Sequence, residues 1–366
     1  MRDETIPFQA ASDSSEVEWR RWRAGRRLFA FCHRIWISPL LVMAILVPWP
    51  PWFRSVPTMK PARRAAGTSP FPIVSLAFGA DGQTLGTTDE SGQATLWRAA
   101  DGWSPVHDFE FDGRVKVVAF SSDGQYLAMG GDAPLVTLWD LRRGNWERSQ
   151  QIPGRSTSNL KFSPDGRTLA VSRHDSPEIC LWDLAAGRER LSLKGHSAAV
   201  MHMAFAPDGR SLASATGTIV DSPIRIWDLS SGRLQQRISD LGSDPQAMAY
   251  SPDSTLLAAA CPHEKAVRIW DVRKGCQIQV IAGHSLSTRS LAFSPDGRLL
   301  ATGAGDGSAG LWSVATGREI RRLDGEAEVV RNVAFSPDGR TIAATANDGD
   351  IRFWDLDDLI GVSVGD

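Results

Sequence analysis

The stretch FSPDGRLLATGAGDGSAGLW, residues 293–312, decides the fold, because related copies of it recur along the chain. Its tryptophan recurs at intervals of 42 to 45 residues, at Trp97, Trp139, Trp182, Trp227, Trp270, Trp312 and Trp354. An aromatic residue lies 19 to 22 positions before each of them, at Phe78, Phe120, Phe162, Phe205, Tyr250, Phe293 and Phe335. Self-similarity at this period indicates an architecture of repeated structural units.

A tight turn is predicted directly after each repeat aromatic. Residues 163–166, 294–297 and 336–339 read SPDG, and the other four units carry close variants. Proline fixes φ at the second position of a type I turn, aspartate suits the third and glycine the fourth. Short strands flank these turns, and the fourth unit contains four of them, at Val200–Phe205, Ser211–Ala215, Ile224–Trp227 and Leu234–Ile238.

Four strands per unit predict one antiparallel sheet, and both faces of that sheet are largely apolar. Such a sheet needs a neighbour on each side, and a closed ring of units gives one to every face. The sequence therefore predicts an all-β domain over residues 69–366. This domain is a seven-bladed β-propeller of four-stranded antiparallel blades.

Two dipeptides recur within the units. Trp-Asp ends the third strand of five units, as at Trp227-Asp228, and Gly-His occurs at Gly195-His196 and Gly283-His284. In these motifs the chain resembles the WD-repeat family of β-propellers. The resemblance implies a structural hydrogen-bond tetrad in each of the two units with a histidine. The implied members are His196, Ser214, Asp221 and Trp227 in the fourth unit and His284, Thr302, Asp306 and Trp312 in the sixth.

The strand that closes the ring has two candidate sources. The family pattern implies an N-terminal strand, here at residues 65–71, but Pro70 and Pro72 make that segment a poor strand. The C-terminal segment Leu359–Val364 reads LIGVSV. We therefore expect the C-terminal segment to close the ring.

The N-terminal residues differ from the repeats. A polar, basic segment, 1–27, precedes a predicted single apolar helix at 28–53, and a linker follows at 54–68. Residues 35–53 lack any charge, which favours a transmembrane signal anchor. A cleaved signal peptide and an interfacial or buried helix are the alternatives.

Six arginines lie between residues 20 and 34, before the uncharged stretch, and four basic residues lie between residues 54 and 64, after it. This asymmetry predicts a single-pass membrane protein with an extracytoplasmic propeller. An exported soluble protein and a cytoplasmic propeller remain alternatives.

Charge and cysteine spacing limit the classes of partner. The formal net charge is −2, and residues 67–366 hold 29 Lys and Arg against 37 Asp and Glu. Because no basic field covers the chain, we expect no nucleic-acid partner. Cys32, Cys180, Cys261 and Cys276 show no paired spacing, so they are predicted to be free thiols, and neither a metal nor a cofactor is expected.

The candidate binding residues lie four positions before each repeat aromatic, at the mouth of the innermost strand. They are Val74, Lys116, Ser158, Met201, Gln246, Arg289 and Arg331. Three are basic on an acidic domain, which indicates a site for an acidic peptide or an anionic ligand. The fourth unit has a longer loop at Ala215–Pro223, which adds Thr216, Thr218 and Asp221 to the candidates.

Repeat position argues against catalysis. The turn aspartates recur once per unit, which is explained by turn chemistry, and His196, Ser214 and Asp221 are interpreted as structural. The favoured hypothesis is a non-catalytic, membrane-tethered scaffold for protein–protein interaction. The alternative is a propeller-type enzyme or sensor that binds a small molecule or metal in the central channel, where His202 is the one histidine on an innermost strand.

Overall fold

The computed structural model describes residues 58–59, 61, 63–65, 69–111, 113–142, 147–217, 224–239, 241, 244–324 and 328–357. All of them belong to one compact unit, Val56–Asp366. The predicted polar segment 1–27 and the apolar helix 28–53 lie outside the described residues, as does most of the linker 54–68. Within the described ranges, no helix has the length and apolar character needed to cross a bilayer.

Short strands make up most of the described chain. In order they are β1 (Thr58–Met59), β2 (Arg63–Ala65), β3 (Ile73–Phe78), β4 (Thr84–Asp89), β5 (Ala94–Arg98), β6 (Ser104–Phe109), β7 (Val115–Phe120), β8 (Tyr126–Gly131), β9 (Leu135–Asp140), β10 (Glu147–Pro153), β11 (Thr157–Phe162), β12 (Thr168–Arg173), β13 (Ser176–Asp183), β14 (Arg188–Leu193), β15 (Val200–Phe205), β16 (Ser211–Thr216), β17 (Ile224–Asp228), β18 (Leu234–Ile238), β19 (Ala247–Tyr250), β20 (Leu256–Cys261), β21 (Ala266–Asp271), β22 (Cys276–Ala282), β23 (Thr288–Phe293), β24 (Leu299–Ala304), β25 (Ser308–Ser313), β26 (Glu319–Asp324), β27 (Val330–Phe335), β28 (Thr341–Ala346) and β29 (Ile351–Asp355). Two single-turn 3₁₀ helices lie at Ala99–Asp101 and Pro262–Glu264.

The strands form seven antiparallel blades, which confirms the predicted all-β propeller. Blades 1 to 6 are β3–β6, β7–β10, β11–β14, β15–β18, β19–β22 and β23–β26, and β27–β29 belong to blade 7. The first strand of each blade contacts the first strand of the next, and β27 of blade 7 contacts β3 of blade 1. These first strands therefore line the axis of a closed ring, and we call them the inner strands.

The core is divided among the interfaces between blades. Seven apolar clusters fill these interfaces, and each one contains the repeat tryptophan of the following blade. Trp227 of blade 4, for example, packs on Ile179 and Leu193 of blade 3. Burial of so large a ring is worth several kcal/mol, and its truncation costs about 3–5 kcal/mol. The interval of 42 to 45 residues between the tryptophans therefore corresponds to one interface between blades in each repeat.

The predicted turns also hold. In each turn the aspartate Oδ1 accepts a hydrogen bond from the backbone N–H two residues later, as in Asp165 with Arg167 at 3.0 Å and Asp338 with Arg340 at 3.0 Å. Hydrogen bonds from the Ser336 hydroxyl and the Arg340 N–H lower the pKa of Asp338. Each aspartate thus stabilises the backbone of its own turn, as its recurrence once per unit indicated.

The predicted C-terminal closure is wrong. Strand β2 at Arg63–Ala65 pairs antiparallel with β29, with Arg63 opposite Phe353 and Ala65 opposite Ile351. The closing strand ends before Pro70, so the two prolines that argued against an N-terminal strand do not interrupt it. The segment 359–364 lies outside the described residues. Upstream of β2, strand β1 pairs in parallel with β26 and gives blade 6 a fifth strand.

The described cysteines carry free thiols, namely Cys180, Cys261 and Cys276. Burial raises the pKa of both Cys180 and Cys261 to about 12. Both therefore stay protonated at neutral pH, as expected of thiols that pack between strands. Cys32 lies outside the described part of the chain.

Candidate functional site

The inner strands meet around a central cavity of about 670 Å³. All seven residues predicted for the mouth line it, namely Val74, Lys116, Ser158, Met201, Gln246, Arg289 and Arg331. They converge because each occupies the same position of an inner strand and the ring brings those strands together. The cavity is therefore the candidate functional site.

Two of the basic residues at the mouth have acidic partners on the surrounding rim. Lys116 Nζ lies 2.5 Å from Asp132 Oδ1. Arg331 Nη2 lies 2.7 Å from Glu90 Oε1, and its Nε donates to Asn347 Oδ1 at 2.5 Å. Arg289 is exposed and has no ion pair among the described residues. Acidic side chains thus compensate the charges of Lys116 and Arg331, whereas no described acidic side chain compensates that of Arg289.

A fourth cation, Lys161, lines the same cavity and was missed by the sequence reasoning. It directly precedes the repeat aromatic of blade 3. The other six blades have alanine at that position, at Ala77, Ala119, Ala204, Ala249, Ala292 and Ala334. A comparison of this one position across the repeats would have identified Lys161.

The side chain of Lys161 is exposed to the channel, and the inner strands enclose that channel around it. Burial lowers the pKa of its ammonium group. Within the described ranges it makes neither an ion pair nor a side-chain hydrogen bond.

His202 lies on the neighbouring inner strand of blade 4 and also lines the cavity. Burial lowers the pKa of its imidazole to about 4, and the charge of Lys161 acts in the same direction. His202 is therefore neutral at pH 7. It also borders a second cavity of about 440 Å³, which residues of blades 3, 4 and 5 line, among them His174, Asp244 and His263. Across the described residues, His, Cys, Asp and Glu form no group of three suited to a metal ion.

The tetrad implied for the sixth unit is complete. Trp312 Nε1 donates to Thr302 Oγ1 at 2.7 Å, and His284 Nε2 lies 2.7 Å from the same oxygen. His284 Nδ1 lies 3.4 Å from Asp306 Oδ2, which also accepts from the Ser285 N–H at 2.8 Å. Burial would raise the pKa of Asp306, but the hydrogen bonds from His284 and Ser308 outweigh it and hold that pKa far below its usual range.

The fourth unit shows three of the four implied members in contact. Trp227 Nε1 donates to Ser214 Oγ at 2.7 Å, and His196 Nε2 lies 2.7 Å from that oxygen. Arg225 Nη1 lies 2.7 Å from His196 Nδ1. Asp221 lies outside the described residues. The histidines of both units are buried in the blade and serve its stability.

The loop candidates of the fourth unit do not join the cavity within the described part. Thr216 is buried at the end of β16, opposite Val200 of the inner strand, and is absent from the cavity lining. Thr218 lies outside the described residues, as does Asp221.

The model of one protein family matches five segments that together cover just over half of the chain. This family is the WD domain, G-beta repeat, and the matched residues are 103–140, 187–228, 240–271, 275–313 and 317–355. The chain belongs to the WD40 repeat family. The five WD40 matches end at or next to the repeat tryptophans of blades 2, 4, 5, 6 and 7, and the units that end at Trp97 and Trp182 fall outside them.

Two known proteins show local similarity to this chain. The chain is 29% identical to SEC12-like protein 1 of Arabidopsis thaliana over 112 residues, which are 28% of this chain and 27% of that protein. It is 32% identical to WD repeat-containing protein 1 of Bos taurus over 108 residues, 28% of this chain and 18% of that protein. The chain thus spans about a quarter or less of the length of these relatives.

Proposed function

We propose that this WD40 propeller is a non-catalytic scaffold that binds a protein or peptide partner at the mouth of its central channel. One observation carries the proposal: a residue from each of the seven inner strands converges on a single cavity at that mouth. The histidines that could be mistaken for catalytic groups form hydrogen bonds inside blades 4 and 6, His196 with Ser214 and His284 with Thr302. WD40 propellers act generally as platforms for protein interaction, which supports the same function.

Site-specific photo-crosslinking in cells tests this proposal. A photoreactive amino acid replaces Gln246 at the mouth, and a matched control replaces Ser230, an exposed residue of the turn between β17 and β18 at the other end of the blade. We expect a discrete crosslinked partner from position 246 and none from position 230. Equal crosslinking from the two positions, or crosslinking from 230 alone, would contradict the proposal.

We propose further that residues 28–53 tether the propeller to a membrane and leave it on the extracytoplasmic side. The uncharged stretch 35–53 and the excess of arginine before it support this topology. The full chain should stay with membranes after alkaline carbonate extraction, whereas a chain that begins at residue 54 should not. Reporters fused to Asp366 should be active only when they require the extracytoplasmic side. Extraction of the full chain, or reporter activity inside, would contradict the tether or its orientation.

A further inference from the structure

The wall of the central cavity is positively charged. Among the described residues that line it, four are Lys or Arg, and none is Asp or Glu. The surrounding repeat region, residues 67–366, has the opposite balance, with more acidic than basic residues. A cation-rich cavity is complementary in charge to an anion. The described lining of the cavity supplies no carboxylate of its own for that role.

Two of the four cations remain without compensation. Lys116 and Arg331 are paired with Asp132 and Glu90 on the rim. Lys161 and Arg289 have no ion pair within the described part of the chain. Because four cations share one cavity without a carboxylate in its described lining, these two charges favour the binding of an anion there.

The neutral polar groups of the wall are mostly committed to the protein itself. Asn159 Nδ2 donates to the Met201 carbonyl at 2.9 Å, and Ser158 Oγ donates to the Val200 carbonyl at 2.7 Å. Asn332 Nδ2 donates to Thr345 Oγ1 at 3.2 Å. These donors hold neighbouring strands together, so recognition of an anion falls to Lys161 and Arg289.

The size of the cavity bears on the kind of anion. A volume of about 670 Å³ lies within the range of pockets that enclose small organic ligands, and it far exceeds the space of a single phosphate ion. It is also open at the mouth, where the residues of the seven inner strands gather. An extended segment with more than one acidic group fits both the volume and the spread of the two cations over blades 3 and 6.

We propose that the central channel binds an acidic peptide segment of the partner, with Lys161 inside the channel and Arg289 at its mouth as the groups that hold its carboxylates. The inference rests on the proposed function and specifies its ligand. Lys161 is the specificity-determining residue, because it is the one departure from alanine in its ring of seven positions.

Isothermal titration of the purified full chain with a blocked tetraglutamate peptide tests the proposal, with blocked tetraglutamine as the uncharged control. We expect saturable binding of tetraglutamate at concentrations below about 1 mM and none of tetraglutamine. The variant Lys161→Ala should weaken binding at least about tenfold, which corresponds to one lost charge-assisted contact. Lys161→Arg should retain most of the affinity.

A matched control is Lys116→Ala at the same cavity, where Asp132 already compensates the charge. It should weaken tetraglutamate binding less than about threefold. Because Lys161→Ala introduces the residue that the other six blades carry, it should fold, and thermal unfolding checks that it does.

Three outcomes would overturn the proposal. They are no binding of tetraglutamate, equal losses from the two lysine variants, and binding of inorganic phosphate alone as tightly as of the peptide with the same dependence on Lys161. The last would identify the channel as a site for a free anion. If the crosslink at position 246 forms while tetraglutamate does not bind, the scaffold function stands and only the acidic ligand fails.

Discussion

Blades 3 and 6 share one topology but differ in their polar interiors. In blade 6, the Trp312 N–H, Thr302, His284 and Asp306 satisfy one another in one chain of contacts. In blade 3, Val171 occupies the position of Thr302, and the indole N–H of Trp182 has no hydrogen-bond partner among the described residues. The first three strands of blade 3 also fall outside the family-model matches, yet the blade has the same four strands.

The difference teaches that the polar tetrad is dispensable for the blade. What the two blades share is the tryptophan between blades, the apolar inner residues and the serine-initiated turn. Hydrophobic burial and turn chemistry therefore specify the sheet, and the tetrad adds stability to some copies. Blade 3 lacks that network but contributes Lys161 to the channel.

The largest effect should come from Asp306→Ala. The change removes the acceptor for His284 and for two backbone N–H groups in a site where the Asp306 side chain is 9% exposed. Loss of one partner from such a buried charged network should lower the free energy of unfolding by about 2–4 kcal/mol. The measurement is urea denaturation at pH 7.

Blade 3 offers the control for that experiment. Asp175 lies in the corresponding turn between the second and third strands and is exposed. Its Oδ1 lies 3.8 Å from Arg173 Nε. Its replacement by alanine should change stability by no more than about 0.5 kcal/mol. Equal effects from the two substitutions would show that the tetrad contributes no more than a surface turn.

A reciprocal exchange should produce a smaller effect. Thr302→Val leaves the Trp312 N–H and the His284 Nε2 of blade 6 without their shared partner and should destabilise by about 1–3 kcal/mol. Val171→Thr should give the Trp182 N–H of blade 3 an acceptor and stabilise by about 0.5–1 kcal/mol. Thermal unfolding of both variants checks the pair, and destabilisation by Val171→Thr would mean that the blade 3 backbone cannot accept the hydroxyl.

Some features of the fold and of the cavity can be predicted from the sequence, and others cannot. The blades and the seven residues of the mouth follow from a repeat period, because equivalent positions in a closed ring must meet on its axis. The closing strand Arg63–Ala65 did not follow, because a three-residue strand leaves no periodic signal and the prolines beyond it misdirected the choice. Lys161 did not follow either, because it lies three positions beyond the mouth residue of its strand, and only a position-by-position alignment of the repeats shows a lysine where six units have alanine.

The smallest effect should be electrostatic and confined to the channel. Lys161→Ala makes blade 3 resemble blade 6, which has Ala292 at that position. Because the charge of Lys161 adds to burial in lowering the pKa of His202 to about 4, its removal should raise that pKa. The value should stay below about 6.5, since burial is the larger cause. NMR titration of the His202 ring protons measures it, with Lys116→Ala as the control that leaves it unchanged.

Protonation of His202 is coupled to the stability of the folded protein. An unfolded histidine takes up its proton near pH 6.5, whereas folded His202 resists protonation until about pH 4, so stability falls as the pH decreases through that window. In the Lys161→Ala protein the folded pKa moves towards the unfolded one, and the loss of stability across the window should become smaller. An unchanged pKa of His202 would place the Lys161 ammonium group too far from blade 4 to act on it, and would weaken the case that this charge governs the channel.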